Sequence, residues 1–244
     1  MRSFFFIGTV LFGPATIVDM AKGVVAKLYT PFIDRLSFTV AENKQPFFSD
    51  WAQSFGPIIS GIPIFFWLFF IGSVALFFDM IKGLKKSREI FLFGFIFSLL
   101  ALIFSRTSPT SILNGNDFLS KLVYSLGFLV FAGVAYYVFH KNKDDGSLKE
   151  IRFENVILFS FIFVSIIAAR SGIRLIMLMS PFASIPISYL AVMSVRKAFD
   201  KNEKDLRKLF FVVFALLILI AVPYTLNYNY QSSKYVASVH VPNQ

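Results

Sequence analysis

Residues 56–78, GPIISGIPIFFWLFFIGSVALFF, contain no Asp, Glu, Lys or Arg. A helix needs roughly 17 to 25 mostly apolar residues to cross the hydrocarbon core of a bilayer, so this stretch is long enough to span one. Similar runs recur at Ile90–Ser105, Leu122–Phe139, Asn155–Ala169, Leu175–Val195 and Leu209–Ser233. Six spans are therefore predicted after residue 55, with a partial one before it in the apolar run Ser3–Val18. The whole chain agrees: of 244 residues 56% are apolar, 33 are Phe and only 16% are charged, far from the balance of a soluble domain. The fold class is all-α, a polytopic transmembrane helix bundle. The run after Met1-Arg2 lacks a small-residue cleavage site and leads into Pro14 and Asp19, so it is read as part of the protein rather than as a signal peptide. With no cysteine, disulfide and thiolate chemistry are excluded and nothing follows about redox compartment.

The net charge of +10 would suggest nucleic acid as a partner in a soluble protein. Here its placement argues for topology instead. Lys82, Lys85, Lys86 and Arg88 follow the first span; Lys141, Lys143, Lys149 and Arg152 follow the third; Arg196, Lys197, Lys201, Lys204, Arg207 and Lys208 follow the fifth. Basic loops remain cytoplasmic during insertion, and these three alternate without conflict. The mixed-charge linker His140–Glu154, with Asp144 and Asp145, then reads as a solvated cytoplasmic turn rather than a metal site.

Four segments are left for the opposite face: about residues 34–55, the loop Arg106–Asp117, the turn Arg170–Arg174, and the tail from Asn227 onward. The organisation is thus a partial span over 1–33, an external loop over 34–56, about six spans over 57–226 and an external tail over 227–244. Pro46, Pro57, Gly61 and Pro63 disfavour a regular helix across 46–57. Trp51 and its neighbouring Phe residues are predicted to anchor the loop at the bilayer interface.

Arg170 and Arg174 are four residues apart and would share a face if the turn is helical, where like charges repel by about 0.2 to 0.5 kcal/mol. Each flanks an apolar run, where a buried arginine costs at least a few kcal/mol. Two such charges together point to an anion, and the planar guanidinium fork suits phosphate. Snorkelling of the two side chains to the interface remains the alternative.

Two stretches carry a resemblance to a known family. The loop SFTVAENKQP (Ser37–Pro46), with Thr39-Val40-Ala41-Glu42 followed by Gln45-Pro46, resembles the external loop of oligosaccharyltransferase catalytic subunits of archaeal and eukaryotic type. Arg174-Leu175-Ile176-Met177-Leu178-Met179-Ser180-Pro181 is similar to the element in which that family's arginine contacts the phosphate of the lipid-linked glycan. The two matches occur in the family's order and on the same predicted face.

The resemblance implies transfer of an oligosaccharide from a lipid phosphate or pyrophosphate to asparagine in Asn-x-Ser/Thr sequences. It assigns the donor phosphate to Arg174 and leaves Arg170 without a role. It makes Glu42 the catalytic carboxylate, accepting hydrogen bonds from the acceptor asparagine amide, whose nitrogen lone pair is tied up in conjugation. Glu42 is also the implied ligand of a Mg2+ or Mn2+ ion acting as Lewis acid on the leaving phosphate. The implied partners are the lipid-linked oligosaccharide, the acceptor polypeptide and the membrane. The implied location is a cell membrane or endoplasmic reticulum membrane, with the site on the external or lumenal face.

The sequence departs from the family in two respects. No Asp-x-Asp occurs, and neither Trp51 nor Trp67 lies in a Trp-Trp-Asp-Tyr-Gly motif. The expectation is a fragment covering the second half of the transmembrane domain, lacking the N-terminal half and the C-terminal soluble domain and inactive alone. The competing readings are a lipid-phosphate transporter or flippase and a non-catalytic subunit.

Overall fold

The computed structural model describes residues 45–239, apart from 85–86, 144–147, 149–150, 152 and 200–204, together with the isolated positions 15, 18, 19, 22 and 23. The Thr39–Glu42 motif lies outside the described residues, and so does most of the partial span over 1–33. The described chain is all-α. After a short helix α1 (Phe48–Ser54) come α2 (Ile64–Met80), α3 (Arg88–Phe104), α4 (Phe118–Asn142) and α5 (Phe153–Ser171). A single 3-10 turn, Ile173–Leu175, leads into α6 (Ile176–Ala198), and α7 (Asp205–Val239) follows.

Three of these helices are long and apolar enough to cross a membrane: α4, α5 and α7. A fourth is counted if the two parts of α6, bent by 48° between Ile173–Met179 and Pro181–Ala198, form one span. The bend has a local cause, since Pro181 and Pro186 lie inside α6 and each removes a backbone donor while its ring crowds the preceding turn. The first sequence span is shortened. α2 begins at Ile64 because residues 57–63 form a tight turn in which Ile59 and Ile62 exchange backbone hydrogen bonds of 3.0 and 2.9 Å. At the other end α7 runs without a break through Asn227 to Val239, so residues 227–239 extend the last helix.

Helices α2 to α6 run alternately up and down, and their packing is tightest where side chains are smallest. A methyl group on Gly72 of α2 would collide with the carbonyl oxygen of Pro186 in α6. One on Gly127 of α4 would lie 3.0 Å from the Ala101 side chain of α3. In a bilayer, where lipid is as apolar as the core, close backbone approach through small residues is a main source of helix association. Large aromatics fill the space beyond these contacts. Phe77 and Phe95 stack at 4.0 Å, and Phe159 meets both rings edge-on at 5.2 and 5.6 Å. The outward surfaces are apolar as well: on α7, Leu219 is 70% and Ile220 61% exposed. Lipid is the medium that satisfies such faces.

Two expectations for the external loop are corrected. The proline-punctuated stretch contains the helix α1, because Asp50 Oδ2 accepts a 2.8 Å hydrogen bond from the Phe47 amide and closes the first turn, with Pro46 and Pro57 left outside it. Trp51 is no interfacial anchor: it is fully buried in the main core among the α2 and α3 phenylalanines. Its indole fills apolar space between the helices, and its Nε1 is buried there without a hydrogen-bond partner.

The glycine contacts generate a paired prediction. Gly72→Ala lowers the thermal stability of the purified protein by about 1 to 3 kcal/mol through overpacking. Gly133→Ala in α4, where a methyl group meets nothing within 4 Å, leaves it unchanged or raises it by up to about 1 kcal/mol.

Candidate functional site

At the end of the bundle where α3 stops and α4 starts, the chain between them folds back on itself. Arg106 and Asn114 form an isolated antiparallel bridge, and the Thr107 amide donates to the Leu113 carbonyl at 2.7 Å. Asn114 caps the start of α4 by accepting hydrogen bonds from the amides of Asn116 and Asp117 at 2.8 and 3.0 Å. This is a local arrangement for which asparagine is well suited. Gly115 takes a positive φ of 89°, and a side chain there would press on Arg106, with Cδ only 2.7 Å from the added carbon. Glycine is thus required on both counts, by the left-handed backbone and by the path of the arginine.

The segment Gln45–Phe48 docks on this loop. The Phe48 amide donates to the carbonyls of Arg106 and Thr107 at 3.1 and 3.3 Å, and the Arg106 guanidinium stacks over the Phe47 ring with Cζ 4.2 Å from the centroid. Arg106 also donates through Nη1 to Gln45 Oε1 at 2.8 Å. The same oxygen accepts a second hydrogen bond, from Nη1 of Arg170 at 2.9 Å. Arg170 lies in the last turn of α5, is 5% exposed, and has its Cζ 5.3 Å from the Tyr124 ring centroid.

Two guanidinium groups therefore share one uncharged acceptor. Both carbonyl lone pairs of Gln45 are used, and the two Nη1 atoms lie within about 6 Å, where like charges repel by roughly 3 kcal/mol at an effective dielectric constant near 20. Burial pushes the Arg106 guanidinium below its ordinary pKa, with the nearby Asp50 charge acting in the opposite direction. Among the described residues neither arginine has a carboxylate within ion-pair distance, and the Nε atoms of both are buried without a hydrogen-bond partner.

Arg174 has a different setting. The helix ends at Ser171, Gly172 is extended, and Arg174 is on the 3-10 turn, so Arg170 and Arg174 do not share a helical face. Arg170 turns inward and is buried, while Arg174 is exposed. Directly after Arg174 opens an apolar groove of about 500 Å³ between α1 and α6, lined by Phe55, Ile176, Met179, Ala183 and Ile187 among others. Glu42 lies outside the described residues. Among those described, no three of His, Cys, Asp or Glu come together as metal ligands.

Sequence reasoning placed Arg170, Arg174 and the 106–117 loop on one face but gave Arg106 and Gln45 no role. A signal for Arg106 was present, since it is a basic residue at the outer end of a span, where the basic residues of this chain are sparse. Comparison of the chain with protein-family models, with curated proteins and with solved structures gives no match.

Gly115→Ala tests the loop's hold on Arg106. It should cost about 1 to 3 kcal/mol in thermal unfolding, whereas Asn116→Ala, whose side chain is exposed and makes no hydrogen bond among the described residues, should change stability by less than about 0.5 kcal/mol.

Proposed function

We propose that this chain is part of an oligosaccharyltransferase catalytic subunit, an integral membrane glycosyltransferase that moves a lipid-linked oligosaccharide to asparagine in Asn-x-Ser/Thr sequences. One observation carries the reading beyond sequence resemblance. The Gln45–Arg170 hydrogen bond joins the end of the Ser37–Pro46 loop to the last turn of α5, four residues before the Arg174–Pro181 stretch, across 125 positions of sequence. Gln45, at the end of one resembling stretch, thus lies beside a residue four positions before the other.

The surroundings of Arg174 suit a lipid phosphate. An exposed guanidinium offers paired donors to phosphate oxygens, and the apolar groove that opens beside it offers a path for the first units of an isoprenoid chain. Glu42, three residues before Gln45, is the proposed partner of the acceptor amide. It is also the residue of this chain that would hold Mg2+ or Mn2+, which supplies Lewis-acid help to the departing phosphate. The remaining ligands implied by the resemblance belong to Asp-x-Asp motifs that this sequence does not contain.

A second reading, a lipid-phosphate transporter or flippase, draws on the bend in α6, because broken helices beside a binding site are a device of transporters. Both readings bind a lipid phosphate, and only the first transfers a glycan. In the membrane-embedded protein as encoded by its genome, Glu42→Gln and Arg174→Ala should each lower glycan transfer to an Asn-x-Thr peptide about 100-fold, the order seen when a single charge-stabilising group is removed, with membrane insertion unchanged. Transfer at the wild-type rate by both variants would refute the assignment. Absence of transfer by the wild type, with lipid-phosphate movement between leaflets in its place, would establish the second reading.

A further inference from the structure

Arg170 is buried and Arg106 half-buried, with the Nε atom of each fully covered, whereas Arg174 is exposed. Cations in this position are stable only when matched by opposite charge or by hydrogen bonds to most of their donors. Among the described residues, the acceptor the two share is one neutral oxygen, and Asp50, whose charge is felt by Arg106, forms no ion pair with it. The guanidinium carbons of Arg106 and Arg170 lie over the rings of Phe47 and Tyr124, at 4.2 and 5.3 Å from the centroids. Such proximity to a ring is favourable for a cation, and it uses none of the N–H donors. The buried Nε atoms without partners are two of those donors. The arrangement is also fixed before any ligand arrives. Arg106 is held by the bridge to Asn114 and by Gly115, Arg170 by the last turn of α5, and Gln45 by the docking of Phe48 on the Arg106 loop.

We propose that Arg106 and Arg170, spaced by the side-chain oxygen of Gln45, form a second anion site that takes a phosphate-type group, separate from the position assigned to Arg174. A phosphate or diphosphate offers several oxygens to the paired forks, together with an ion-paired charge that neither arginine has among the described residues. A single carboxylate offers only two oxygens and one charge against two cations. The site goes beyond the transferase reading, since a transporter of lipid phosphates would use it equally, and its test is a binding measurement that does not depend on glycan transfer.

The experiment is a titration of the purified chain, in nanodiscs of uncharged lipid, with inorganic pyrophosphate and separately with farnesyl diphosphate, following thermal stability and the 31P resonance. It is run in the Arg174→Ala background, so that the neighbouring arginine contributes nothing. At least one of the two probes should raise the unfolding temperature. Arg170→Gln and Arg106→Gln should each weaken that binding roughly tenfold or more, the order expected for losing a charge-assisted hydrogen bond. Gln45→Glu provides a variant that keeps the fold: an internal carboxylate between the guanidiniums should raise stability without ligand and reduce pyrophosphate or farnesyl diphosphate binding by a similar factor. Binding of farnesyl diphosphate alone identifies a lipid headgroup as the source of the anion, and equal binding of both probes identifies the phosphate group by itself. No binding of either probe overturns the proposal, as does binding that all three substitutions leave intact. Binding that appears only after Glu42→Gln would show that the chain supplies its own counter-charge and would overturn it too.

Discussion

One amide oxygen, Oε1 of Gln45, joins three segments at one end of this molecule. It accepts from Arg106 at the end of α3 and from Arg170 at the end of α5, and so ties the segment before α1 to two separate helix termini. A neutral acceptor is an unusual bridge between two cations. A carboxylate would bind each arginine more strongly and would cancel one of the two charges. The amide instead fixes their spacing and leaves their charge in place. Two guanidinium groups are therefore held side by side at one end of an apolar bundle, the end at which Arg174 and the groove beside it also lie.

The bundle makes that arrangement possible by being rigid where it matters. The approach of Gly72 to the Pro186 carbonyl locks α2 against the bent half of α6, and the stack of Phe77 on Phe95 fills the middle of the bundle. Pro181 and Pro186 turn α6 away from a straight path, which opens space next to Ile176 and Met179 where the groove lies. A chain of interactions thus runs from proline and glycine placement, through helix packing, to the geometry of an arginine cluster.

Much of this was legible in the sequence. The charge-free runs gave the all-α class, and the alternation of basic loops put the 106–117 and 170–174 segments at the same end. Composition could not give the helix boundaries. The start of α2 at Ile64 depends on the tight turn at Ile59–Ile62, and α1 depends on a capping contact between Phe47 and Asp50 that proline counting overlooks. Burial was also beyond the pattern: Trp51 reads as an interfacial anchor by residue type and is in fact core. The Arg170–Arg174 spacing suggested a shared helical face, and the helix end at Ser171–Gly172 separates them. The pairing of Arg106 with Arg170 through Gln45 is a contact between positions 61 and 125 residues apart from that glutamine. No local rule reaches over such separations.

The central claim is that the Gln45, 106–117 and 170–174 segments form one cluster on one side of a membrane, with the basic loops on the other. The absence of native cysteine makes its most direct test clean. Single cysteines at Asn116, Arg174, Lys82 and Lys143 would be exposed in turn, in sealed vesicles of one orientation, to a membrane-impermeant thiol reagent. The account predicts that the first two react from one side and the last two only from the opposite side. Reaction of Asn116→Cys and Arg174→Cys from different sides, or of either from the side that labels Lys82→Cys, would contradict it.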